Sequence, residues 1–191
     1  IVAESLAAAR QSPHLETFTK QDVEVLLLVD RVDEWFVSFI EEFDGKKFQN
    51  VMRGDLNLTE EDQGDVDSTE EDVPLLGRIK AVLEDQVESV RKSKRLTESA
   101  ACLVLGDEDM GYQMRRMMEA AGQPVPESKP HLEVNLEHPL LDHLDSEQDE
   151  ERFQNIVRIV FDQAALADGT SLAEPGEYVK RINQLILELM E

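Results

Sequence analysis

Gly106 and Gly111 have the spacing of a phosphate-binding loop, which would point to nucleotide chemistry if lysine and then serine or threonine came next. Tyr112-Gln113 follow instead, and Asp107, Glu108 and Asp109 fill the interval. Those acids would repel a triphosphate, whereas they suit the first turn of a helix, so no nucleotide site is expected. Zinc is not expected either: His14, His131, His138 and His143 never recur at helical i, i+4 spacing, and only His138 and His143 lie close together. A calcium loop starting at Asp65 fails on its own geometry. Its third ligand would be Thr69, its turn glycine Glu70 and its bidentate glutamate Leu76. Cys102 sits in the apolar run Ala101-Cys102-Leu103-Val104 with no basic group placed to lower its pKa, the setting of an inert core thiol. Carboxylates are abundant, but no pair is singled out for acid-base work. No catalytic, cofactor or metal residue is therefore assigned.

Two other groupings stand out. Arg91, Lys92, Lys94 and Arg95 form a basic cluster in a chain with 42 acidic and 19 basic residues and a net charge of -23. Amid that acid the cluster is expected to pair internally on a solvated strand face, and stable complexes with nucleic acid or an anionic membrane are not expected. After Gly106, Met110, Met114, Met117 and Ala121 fall on one helical face with Met118 at its edge, which gathers four of the chain's 6 methionines. Methionine specifies a core poorly but follows varied apolar contours, so the stripe fits soft core packing or an adaptable contact face. Periodicity alone favours core, because most apolar helix stripes are buried.

The elements that would carry these residues follow from pattern. An alanine-rich helix spans Ser5 to Arg10, Ser12-Pro13 opens a second short helix, and Val23 to Val29 reads as a buried strand. Asp33 can cap a helix holding Trp35, Phe36, Phe39 and Ile40, Asp44-Gly45 turns the chain, and Phe48 to Met52 reads as another strand. Residues 1–58 thus read as part of an α/β layer. Residues 59–73, acidic and without lysine or arginine, read as a self-repelling linker. A mixed domain follows over 74–191, with a helix from Pro74 to Asp85, strands over Val87–Leu96, Ala101–Leu105 and His131–Val134, and a helix from Glu108 to Ala121. The fold class expected is α+β.

The last stretch, from Asp149, reads as two amphipathic helices. Phe153, Ile156, Val157, Val160, Phe161, Ala164 and Ala167 share one face of the first. Asp168-Gly169 stops that helix and Glu174-Pro175 restarts the chain; Tyr178, Val179, Ile182, Leu185, Ile186 and Leu189 form the second stripe. Packing on the chain's own domain or on a copy of itself would satisfy both stripes equally. A hydrophobic content of 41% argues for a folded chain, one cysteine suits a reducing, cytoplasmic setting, and no apolar run is long enough to span a membrane. Ile1-Val2-Ala3-Glu4 offers neither a signal peptide's basic region nor an initiating methionine, so a fragment of something longer is expected.

Read in order, Ser12-Pro13-His14-Leu15-Glu16, Val23–Leu28, Asp33-Glu34-Trp35, Glu42-Phe43-Asp44-Gly45-Lys46, Arg95-Leu96-Thr97-Glu98-Ser99, Ala120-Ala121-Gly122-Gln123, Asn135 with His138-Pro139-Leu140, and Asp162-Gln163-Ala164 together resemble the ninety-kilodalton heat-shock chaperones of bacterial type, also called high-temperature protein G. The resemblance covers nearly the whole chain. It implies that residues 1–58 end the family's middle domain and that 74–191 are its C-terminal dimerisation domain, closed by a four-helix bundle from two chains. Phe153, Ile156, Val157, Val160, Phe161, Ile182, Leu185, Ile186 and Leu189 would then contribute to the dimer seam. It further implies a client-binding surface of Glu34 and Trp35 with Met110, Met114, Met117 and Met118, replacing the core reading of the methionines. Ser38, Lys47 and Ala100 stand where the family frequently has asparagine, proline and proline, and the contact of the first is not carried over.

The ATP- and magnesium-binding domain of such chaperones lies upstream of this stretch, so no cofactor is expected here, and the chain is expected to be a non-catalytic part of an ATP-driven machine. Its expected partners are a second copy, non-native client proteins and other chaperones. It closes on Leu189-Met190-Glu191 rather than on the acidic pentapeptide of eukaryotic members. Two rival classes are a stand-alone acidic α/β enzyme and an oligomerisation scaffold without client affinity; the first is disfavoured by the incomplete sheet and the missing catalytic set.

Overall fold

The apolar positions of the second half converge on one sheet. A computed structural model describes residues 1–30, 32–40, 42–54, 73–106, 109–125 and 128–190. In it β3 (Val90–Lys92), β4 (Ala101–Val104) and β5 (His131–Val134) form a three-stranded sheet in the order β3-β5-β4, after β1 (Glu42–Phe43) and β2 (Lys46–Lys47) of the first half. β5 is central, parallel to β3 with Val90 opposite Leu132, and antiparallel to β4 with Cys102 opposite Glu133. Alternation along the strands sends Val90, Ala101, Leu103, Leu132 and Val134 to one face. There they meet α4 (Pro74–Val82), α6 (Pro139–Ser146) and α7 (Glu150–Ala167) through Leu76, Ile79, Leu141, Leu144, Phe153, Val157 and Val160. Cys102 and Val104 point to the other face, with Leu96. That face is also covered, which is why β4 reads as an unbroken apolar run.

The first half of the chain comprises α1 (Leu6–Arg10), a 3₁₀ turn at Pro13–Leu15, α2 (Glu16–Lys20), α3 (Asp33–Phe39) and the β1-β2 hairpin, and it meets the sheet domain through the Arg53–Leu105 bridge and through Arg95, which bonds the Val51 and Gly54 carbonyls. Its own small core gathers Ile1, Ala9, Phe18, Val51 and Met52. The fold is α+β, as the sequence pattern predicts, and the central sheet is mixed and three-stranded. Ser12 caps as expected, through a bond from His14 N, and Ser5 caps α1 through a bond from Ala8 N. Asp44 and Gly45 both take positive φ, 50° and 73°, the geometry of a two-residue hairpin loop.

Several expected elements are shorter or different. Val23–Val29 is neither a strand nor buried: Leu28 makes one parallel bridge with Val2, Val25, Leu27 and Val29 are half-buried against the small core, and Val23 and Leu26 are exposed. A single bridge supplies no ladder to hide both faces of the segment. Phe48–Met52 likewise runs without a strand, and Arg53 bridges to Leu105 of the second half. The expected strand Val87–Leu96 contracts to Val90–Lys92 because Ser93 Oγ accepts the Arg95 and Leu96 N–H groups and bends the chain. Asp33 is not an N-cap; it lies in the first turn of α3, its carboxylate accepting the Asp30 N–H at 2.8 Å. The methionine helix, α5, spans Tyr112–Ala120, so Met110 precedes it, and Glu108 lies outside the described residues. Apart from Val73, so does the expected linker over 59–73.

The terminal helices form as read. Asp149 caps α7 through the Arg152 N–H, Gly169 takes φ +78° beyond its end, and Pro175 opens α8 (Pro175–Glu188).

Candidate functional site

The two halves meet through buried polar groups. Arg95, 1% exposed, donates from Nε and Nη2 to Glu133 at 2.8 and 3.1 Å, and from Nη1 and Nη2 to the carbonyls of Val51 and Gly54 at 2.5 and 2.7 Å. Glu133, on the central strand, also accepts from Ser93 Oγ and Arg91 Nε. Arg91 and Arg95 of the basic cluster do pair internally, but the expected solvated face is wrong for Arg95: a guanidinium this deep is tolerable only because its donors are matched to a carboxylate and two carbonyls.

Two further joints lie beside it. His14 Nε2 stands 3.0 Å from Asp168 Oδ1, with both side chains buried. Glu16 Oε2 accepts the Thr97 and Glu98 N–H groups at 2.6 and 2.7 Å, and the Ser99 N–H reaches both of its carboxylate oxygens at 3.1 Å. Partial burial pushes the Glu16 pKa up. The Ser99 side chain and the three backbone donors outweigh that and hold it below the ordinary glutamate value. Burial, reinforced by Glu133, pushes the Cys102 thiol well up, as suits an unreactive core position.

This junction places α3 against α5. Glu34 Oε2 accepts the Met114 N–H at 3.0 Å, and its Oε1 lies 3.6 Å from Arg53 Nη2. Its side chain is only 16% exposed. The next residue, Trp35, is 57% exposed and stands edge-on to Phe39, ring centroids 6.4 Å apart. Phe36, Phe39 and Phe43 are exposed as well.

None of the four methionines is in the core. Met110 and Met114 line a cleft of about 500 Å³ together with Phe18, Leu26, Val37, Phe48 and Glu34. Met118 is half-buried and Met117 is 52% exposed. Of the sequence-predicted surface residues, the junction brings together Glu34, Met110 and Met114, with Glu34 turned inward, while Trp35 on α3 and Met117 on α5 are exposed.

The residues expected at a dimer seam divide differently. Phe153, Val157 and Val160 are buried in the chain's own core, and Ile156 and Phe161 pack partly against it. On α8, by contrast, no described side chain is buried. Ile182 and Leu185 are half-buried, Ile186 is 49% exposed, and Val179, Leu187, Leu189 and Met190 are also open. Arg181 to Asp162 at 3.5 Å and Arg152 to Glu188 at 3.6 Å hold α8 along α7. Burial, partly offset by Arg181, raises the Asp162 pKa.

Sequence reading did not find His14, Glu16, Arg95, Glu133 or Asp168 as a joint. Their partners lie far along the chain, where neither periodicity nor local spacing can reach them. Among the described residues, no group of three His, Cys, Asp or Glu side chains is placed to hold a metal ion, and no helix is long and apolar enough to cross a membrane. The chain matches the family model described as Hsp90 protein over residues 1–191.

Proposed function

The chain belongs to the Hsp90 protein family, a family of chaperones, and on that premise we propose that it is the client-binding and dimerising segment of an ATP-dependent chaperone of bacterial type. It works in the cytoplasm without catalytic residues of its own. The observation that carries this reading is the exposure of Trp35 and Met117 on either side of a bonded contact, Glu34 to the Met114 N–H, with the methionine-lined cleft beside it. An exposed apolar surface of that make-up is costly to keep in water unless something binds it. Thioethers follow unlike apolar contours and the indole adds area, so many non-native segments fit weakly and none fits exclusively. The net charge of -23 keeps the patch soluble and favours clients with basic segments.

Dimerisation rests on α8. Among the described residues none of its apolar stripe is buried, and Val179, Ile186 and Leu189 are open, while α7 beneath it is fixed to the core. If four such side chains per protomer are covered by a second copy, the eight contribute ~12–24 kcal/mol, against association costs of ~4–15 kcal/mol. Two client surfaces on one particle then act with avidity.

The test of the client surface is Trp35→Ala combined with Met117→Ser. Both side chains are exposed, so the fold should persist, and affinity for an unfolded protein is expected to fall about tenfold. Unchanged affinity and unchanged suppression of aggregation would refute the assignment.

A further inference from the structure

We propose that Glu34 serves this surface as a positioning residue and not as a client contact: its carboxylate caps α5 from the other half of the chain and so holds the methionines beside Trp35. The inference rests on the client-surface reading above. An α-helix begins with backbone N–H groups that have no partner inside the helix, and α5 has no capping side chain of its own, since its N-cap is Gly111. Glu34 supplies the missing acceptor from 80 positions away, bonding the Met114 N–H at 3.0 Å. A carboxylate at that end is also favoured by the helix dipole. With its side chain 16% exposed and Arg53 Nη2 at 3.6 Å from Oε1, the charge is turned into the junction and away from solvent.

Gly111 supplies an independent sign. Its φ of -65° and ψ of 157° are open to any residue, so the backbone does not call for glycine. Space does: a Cβ built there would overlap the Glu34 carboxylate. Gly111→Ala therefore evicts the carboxylate without removing it and without straining the chain. It separates a positioning role from a contact role, because Glu34 remains available to a client in that variant.

The test measures binding of reduced, carbamidomethylated lysozyme, a basic unfolded probe, alongside hydrogen exchange at the Met114 amide. Glu34→Ala and Gly111→Ala are each expected to weaken binding about tenfold and to lower Met114 protection about tenfold, the worth of one charge-assisted hydrogen bond. The double variant should be no worse than either single one, since both remove the same bond. Glu34→Gln, whose amide oxygen can still accept the Met114 N–H, should restore most of what Glu34→Ala loses. Wild-type binding by Gly111→Ala, or a Glu34→Gln as weak as Glu34→Ala with Met114 still protected, overturns the proposal in favour of direct contact. If Trp35→Ala also binds like wild type, the client-surface reading fails, and Met114 protection then decides the cap alone: its retention in both alanine variants overturns it.

Discussion

Arg95→Met tests the joint between the halves most directly. Methionine keeps much of the aliphatic stem and removes the guanidinium, with its two bonds to Glu133 and its bonds to the Val51 and Gly54 carbonyls. Glu133, 4% exposed, would keep only Ser93 Oγ at 2.9 Å and Arg91. Breaking a buried ion pair from one side costs ~3–5 kcal/mol, because a desolvated charge stays behind. Arg91 at 3.0 Å still compensates part of that charge, which argues for the lower end. The Val51 carbonyl, left in the interior, adds about 1 kcal/mol. A net loss of about 4 kcal/mol should lower the melting temperature by roughly 8–16 °C for a chain of this size. Urea unfolding followed by circular dichroism should show a lower midpoint, and amides around Gly54, whose N–H bonds the Leu105 carbonyl, should exchange faster. Arg95→Met with Glu133→Leu should recover most of the loss, since removing both charges leaves neither unpaired. A loss below about 1 kcal/mol in the single variant, well under the buried-pair range, would refute the view that this pair organises the junction.

Two further outcomes follow. The folded-state pKa of Glu16 is depressed, so its contribution is fully present above the unfolded pKa and is lost as pH falls through the lower folded value. Urea midpoints of wild type should therefore drop on acidification through the range below about pH 5, and Glu16→Gln should lose that part of the slope; identical slopes would sink the account. Ile186→Arg with Leu189→Arg, both exposed in the single chain, should give folded monomers by sedimentation, while added salt should tighten the wild-type dimer by screening two acidic protomers. A dimer indifferent to these substitutions would exclude the α8 seam.

The sequence by itself determined whatever depends on neighbours along the chain. Ser12-Pro13 announces its turn, Asp44-Gly45 its reversal, and Gly169 and Pro175 the end of one terminal helix and the start of the next. These are backbone preferences and short side-chain bonds that need no knowledge of the fold. Periodicity likewise marked the apolar faces of α7 and α8. Tertiary structure decided what covers each face. Phe153 and Val157 enter the chain's own core while Ile186 and Leu189 stay open, although all four satisfy the same helical spacing. It also decided that Val23–Val29 has one bridge rather than a strand's ladder, that Arg95 is buried, and that Glu34 turns inward to Met114. The physical reason is common to these cases. Burial, ladder pairing and charge compensation depend on groups tens of residues away, and a residue's own type shows only that it needs a partner, not which one it finds.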